Sequence, residues 1–119
     1  MAKTNEFTLI SPEAWGEKLG CAVVVGATLV NKTPVGAIAE AGEKIDGIIT
    51  DITAGGAGAP VACAKVGDIA FVKLGGAVTV GDALEVGAEG KLVKNASGEA
   101  VAKALATGVA GERIPAIIK

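Results

Sequence analysis

Eighteen glycines in 119 residues, about twice the usual share, cut this chain into short apolar segments and leave few folds open to it. From Cys21 onward those segments alternate with turn signals, the pattern of an all-β sandwich or barrel. The expected strands are Ala22–Val25, Val35–Ala39, Ile45–Ile52, Pro60–Ala64, Ile69–Leu74, Ala83–Val86, Leu92–Lys94, Val101–Ala106 and Arg113–Ile118. Between them stand Gly42-Glu43, Gly55–Gly58, Gly67-Asp68, Gly75-Gly76, Gly81-Asp82, Gly90-Lys91 and Ser97-Gly98, each offering a residue that tolerates left-handed backbone or an Asx turn. Glu99–Ala106 is rich in alanine, the best helix former, but it is short and flanked by Gly98 and Gly108, so a strand is expected. The chain is long enough for one domain with one modest core.

Residues 1–20 differ. They hold Phe7 and Trp15, two of the chain's three aromatic residues. Glu6–Ile10 is extended in character. Ser11-Pro12-Glu13 reads as a helix start: a hydroxyl cap, proline at the first helical position and an acid in the first turn. Trp15 and Leu19 would then share a face, with Gly20 as the stop. The segment is expected to be an extended arm with a short helix, serving either as an arm or as a lid on the β-rich domain at 21–119.

The apolar half of the composition is mostly Ala and Val, and a core of small side chains buries little area per residue. Such a domain gains from burying further surface against a partner. A net charge of −2 and a pI near 5.1 supply no basic field for nucleic acid or anionic lipid. The N-terminus has no apolar signal-peptide region, and charged residues and glycines interrupt every run that approaches a membrane-spanning length. The chain is therefore expected to be soluble and made inside the cell, with no nucleic-acid or membrane partner. Cys21 and Cys63 each lie in an apolar run and read as small buried hydrophobes.

Catalytic chemistry has little to draw on. There is no histidine, which removes the commonest general base and metal ligand, and two distant cysteines make no zinc cluster. Neither Ser11 nor Ser97 lies in a nucleophile elbow. The acid pairs Glu40/Glu43, Asp46/Asp51 and Asp82/Glu85 fit the solvated faces of β turns. Gly56 and Gly58 begin a G-x-G pattern, but position 61 is Val and the next segment is a strand, so no phosphate cradle forms. No enzyme, cofactor or metal site is expected.

The chain also echoes itself. Residues 47–61 and 100–114 both run strand, Ala-Gly loop, strand, with Val61 matching Ile114, and Val25–Leu29 echoes Val80–Leu84. Two related β units, at about 25–65 and 80–119, would each bury what the other leaves exposed.

From Gly47 to Lys119 the sequence resembles the capsid decoration (cement) proteins of tailed phages. The resemblance rests on the order of its motifs. Ile48–Val61 is a strand, an Ala/Gly loop and a strand; Phe71–Leu84 is a strand–Gly–strand with the Gly81-Asp82 turn. Gly87–Val93 is a short hairpin, and Ala102–Ala106 with Ala110–Ile118 closes the chain. The resemblance implies a β-tulip-like subunit, homotrimeric at least on the capsid. It would bind the outside of the mature shell and bridge major capsid protein subunits, which places it on the virion capsid surface. Phe7, Leu9, Ile10 and Trp15 would be the capsid-contact residues of the arm. Pro115 in the last strand implies an edge position or a bulge.

Two other classes fit parts of the sequence. Val78–Leu84 is similar to the V-x-x-G-D-x-L turn of biotinyl/lipoyl carrier domains, although no lysine stands in a Met-Lys-Met or Asp-Lys-Ala setting. A small-ligand-binding β-barrel is the second, and it requires an enclosed cavity.

Overall fold

The alternation of apolar segments and turns produces ten strands among the described residues, 6–51 and 57–119 of a computed structural model. They are β1 (Glu6–Ile10), β2 (Ala22–Val30), β3 (Thr33–Ile38), β4 (Gly47–Asp51), β5 (Pro60–Lys65), β6 (Ile69–Lys73), β7 (Ala83–Val86), β8 (Leu92–Lys94), β9 (Ala102–Ala104) and β10 (Arg113–Ile118). Three of these match the expected bounds to the residue. Ile52 and the glycines of the Gly55–Gly58 turn, Gly58 excepted, lie outside the described residues.

The first five strands close a barrel in the order β1-β3-β2-β4-β5. Glu6–Ile10 is extended, and its place is in the wall. As β1 it pairs antiparallel with β5 from Glu6↔Ala64 to Ile10↔Pro60 and meets β3 in parallel at Ile10↔Val35. The short helix expected after it does not form: residues 11–20 are turns, and a single 3₁₀ turn at Ala88–Gly90 is the only helical element among the described residues. The reason is that tertiary partners take the backbone groups. Ser11 donates both its amide and its hydroxyl to the Ala59 carbonyl instead of capping a helix, and the Gly20 amide donates to Ile49 O. β2 and β3 form a long hairpin whose tip, Asn31-Lys32, has φ of 51° and 65°, the signature of a two-residue primed turn.

The other five strands form a sheet of order β6-β10-β9-β7-β8. Inside it lies a duplication closer than the echo read from the sequence. β6 pairs with β10 at Lys73↔Arg113 and Val72↔Ile114, and β9 pairs with β7 at Lys103↔Ala83 and Ala102↔Leu84. Each set is the other moved by about thirty residues. The hydrogen bonds repeat with it: Gly81 N to Ala104 O (2.8 Å) and Gly111 N to Leu74 O (2.9 Å); Ala104 N to Asp82 O (2.9 Å) and Leu74 N to Glu112 O (2.8 Å). On the pseudo-twofold axis itself, Val78 and Gly108 exchange both amide bonds. Pro115 does not mark an edge, because β10 is a central strand between β6 and β9. It is tolerated there because the β9 ladder ends at Ala116↔Ala104, beside it, where little pairing is left for a missing N–H to break.

Small side chains let one wall serve two cores. In β2 and β4, Val23 and Ile49 point into the barrel with Leu9, Trp15, Val61 and Cys63, while their neighbours Ala22 and Ile48 point the other way. The latter pack with Val72, Leu74, Leu84, Val86, Ala102 and Ile118 of the sheet. Successive residues of a strand face opposite sides, so each of these strands belongs to both layers. Gly20 pins the junction. Its carbonyl accepts from Lys73 N (2.8 Å) while its amide donates to Ile49 O (2.9 Å).

Gly20 has φ +86°, and a Cβ there would stand 2.8 Å from Lys73 N; Gly111 has φ +89° with nothing within 4 Å. Left-handed backbone alone costs an L-residue about 1–2 kcal/mol. Gly111→Ala is expected to lose about that much in urea unfolding. Gly20→Ala is expected to lose clearly more, because the two layers must also separate to admit the methyl group. Equal losses would show that the junction gives way freely.

Candidate functional site

The acidic side chains close turns. Asp82 Oδ2 accepts from Thr79 N (2.9 Å) and, in the duplicated position, Glu112 Oε1 accepts from Val109 N (2.9 Å). Asp46 binds the Val25 amide (2.7 Å) and Glu43 the Glu40 amide (2.7 Å). Glu85 does most. Its Oε1 accepts from the amides of Ala96 (2.6 Å), Gly98 (3.0 Å) and Ser97 (3.1 Å) and from Asn95 Nδ2 (3.0 Å). These donors, the Ala96 amide foremost, hold its carboxyl below the ordinary glutamate range. These five carboxylates are thus engaged with backbone, and no cluster of three metal-binding side chains occurs among the described residues. Cys21 and Cys63 are buried and not joined in a disulfide. Burial pushes the Cys21 thiol up, away from the nucleophilic thiolate.

The four residues expected to contact a capsid share the N-terminal part of the barrel. Leu9 is fully buried and Trp15 is 1% exposed, both in the barrel core. Phe7 and Ile10 are half-buried, with the Phe7 ring against Gly47. Two of the four therefore have no surface to offer in this fold. Trp15 supplies the barrel with its largest buried side chain, although its Nε1 meets no acceptor among the described residues.

The exposed apolar surface lies elsewhere. The outward positions of β6 and β10 are Ile69, Phe71 and Lys73, opposite Ile117, Pro115 and Arg113; Phe71 is 61% exposed and Ile69 58%. Lys103 of β9 stands opposite Ile117, and Leu105 follows at the end of that strand. Beside β6 opens a cleft of about 670 Å³. It is lined by Leu19, Ile49 and Thr50 from the barrel, and by Ile69, Phe71, Glu112 and Arg113 from the sheet. A second exposed group, Leu29 (60%) with Val25 and Val30, lies along the β2–β3 hairpin toward its tip. The sequence concealed the first patch because Phe71 alternates with buried Ala70 and Val72 and reads as an ordinary strand residue. Only the sheet's outer face leaves it uncovered.

Barrel and duplicated sheet together reproduce a known structure, the N base of head fiber gp8.5 of bacteriophage phi29. The TM-score is 0.72, and the match covers 96% of this chain and 92% of that one at 16% sequence identity. The chain has the fold of a phage head-fibre base. No protein-family model and no curated protein matches its sequence. A match over 96% of the chain takes in residues of both layers.

Two outcomes follow. Trp15→Ala is expected to cost about 3–5 kcal/mol in chemical unfolding, the range for emptying a packed aromatic site; a loss within about 0.5 kcal/mol, usual for surface positions, would return Trp15 to the surface. Glu85 carries a depressed pKa in the folded chain. Its contribution is therefore present above the unfolded-state value of about 4.3 and disappears as pH falls through the folded value. Glu85→Gln is expected to melt lower than the parent at pH 7, with the gap closing at pH values below about 4. A gap independent of pH would show that the charge plays no part.

Proposed function

We infer that the chain is a structural protein of a phage virion that binds the outer surface of the mature capsid and stabilises it by bridging major capsid protein subunits, as a homotrimer at least on the capsid. The observation that carries this reading is the head-fibre base fold, matched over 96% of the chain. The order of β motifs that resembles capsid decoration proteins supports it independently. So does the use of Asp82, Glu85 and Glu112, whose carboxylates accept from backbone amides of turns. A subunit that binds only the mature shell stabilises that state by mass action, by RT ln(1 + [L]/Kd), and needs no chemistry to do so.

The alternatives fare less well. A ligand-binding barrel needs room inside, whereas Leu9, Trp15, Val23, Ile49, Val61 and Cys63 fill this one. A carrier domain needs a lysine displayed on a hairpin. Lys32 stands exposed at the β2–β3 tip, but between Asn31 and Thr33.

The test is quantitative mass spectrometry of purified virions of the source phage. The chain is expected at a copy number comparable with that of the shell protein and at its unmodified mass. Absence from particles removes the virion role, and a lipoyl- or biotinyl-sized addition would favour the carrier.

A further inference from the structure

Resting on the virion reading, we propose that the docking surface is the outer face of β6 and β10 around Phe71, together with the cleft beside it, and that it takes an acidic segment of the partner protein.

The apolar part comes first. Ile69 faces Ile117 and Phe71 faces Pro115 across the strand pair, so four apolar side chains stand in two adjacent rows on a solvent-facing surface. A contiguous patch of this kind on a soluble protein marks an interaction surface. Aromatic side chains beside a pocket are the usual centre of binding energy. Among the described residues Phe71 is the most exposed large hydrophobic residue. The cleft alongside has Leu19, Ile49 and Ile69 in its lining, a site for one inserted apolar side chain.

The charge selects the partner. The outward positions of β6, β10 and β9 carry Lys73, Arg113 and Lys103 and no acid, in a chain whose net charge is −2. Two acids adjoin the patch in sequence, Asp68 before Ile69 and Glu112 before Arg113, and both carboxylates accept from backbone amides. Glu112 is held by the Val109 amide and Asp68 by the Ile69 amide. Beside Lys73, residue Glu17 offers its carbonyl to the ammonium at 3.3 Å. Arg113, at the cleft rim, keeps its planar fork for a carboxylate. An apolar floor with three cations around it fits a segment that inserts one apolar side chain and lays carboxylates on either side.

The experiment has two arms on the full chain. In the first, purified protein is added to virions of the source phage depleted of it, and binding is measured by co-sedimentation. Phe71→Ala, and separately the pair Lys103→Glu/Arg113→Glu, are each expected to weaken binding about tenfold or more. The parent's binding is expected to fall with added salt, and Leu29→Ser at the hairpin is expected to bind like the parent. All three variants are surface changes and should melt with the parent, which excludes misfolding. In the second arm, short peptides alternating valine with glutamate or with lysine are titrated and followed by amide chemical shifts. The glutamate peptide is expected to move residues of β6, β10 and the cleft, and the lysine peptide to move none.

If the parent binds particles while the Phe71 and charge variants bind equally well, the docking face is wrong and the virion reading stands. If Leu29→Ser is the variant that fails, the hairpin is the surface instead. If the parent itself does not bind, the virion reading falls, and the docking assignment falls with it. Equal shifts from both peptides overturn the choice of an acidic partner.

Discussion

Two layers share one wall. β2 and β4 face the barrel with Val23 and Ile49 and the sheet with Ala22 and Ile48, so neither core can be loosened without reaching the other. The arrangement works because the side chains on the sheet side include many alanines, which let backbones approach closely. Gly20 sits at a close approach of the two layers, bonded to Ile49 on one and Lys73 on the other. The cleft between Ile49 and Phe71 is bordered by this junction, since Leu19 and Ile49 line it on one side.

A chain with so few large side chains must gain rigidity by other means, and here much of it is polar. Asp82 and Glu112 close equivalent turns, Asp46 ties β2, and Glu85 gathers four donors from residues 95–98. Charge-assisted bonds to backbone amides are stronger than neutral ones, and each ties down a loop that apolar contact alone would leave free. In each of the pairs Glu40/Glu43 and Asp46/Asp51 one carboxylate binds a backbone amide, and in Asp82/Glu85 both do.

The duplication within the second sheet shows how a fold can repeat where a sequence barely does. Over residues 73–86 and 103–116, Lys73/Lys103 and Gly81/Gly111 are the identities. What is retained is the left-handed glycine, an acid after it to bind the turn amide, and alternation of buried positions. Those requirements are set by hydrogen-bond geometry, and most side chains between them are free to differ. The echo between residues 47–61 and 100–114 rested on Ala-Gly loops, which many hairpins share, and so led away from the closer pair.

Local chemistry in the sequence determined most of the strands. Gly67, Gly81, Gly90 and Gly111 all adopt positive φ, as turns between apolar runs require, and β7, β8 and β10 begin and end where apolar alternation does. Glu99–Ala106 stays out of a helix because it is too short between its glycines to repay nucleation. Tertiary structure decided the rest, wherever the deciding partner was distant in sequence. Ser11-Pro12-Glu13 has every local sign of a helix start, yet Ala59 claims the Ser11 donors. Trp15 could serve a partner or a core with equal local logic, and barrel closure by β1 put it inside. Phe71 is its converse: an aromatic residue in an apolar strand, left on the surface because none of the described residues packs over the outer face of β6 and β10. Burial is a property of what lies opposite, and a sequence read along its length does not contain it.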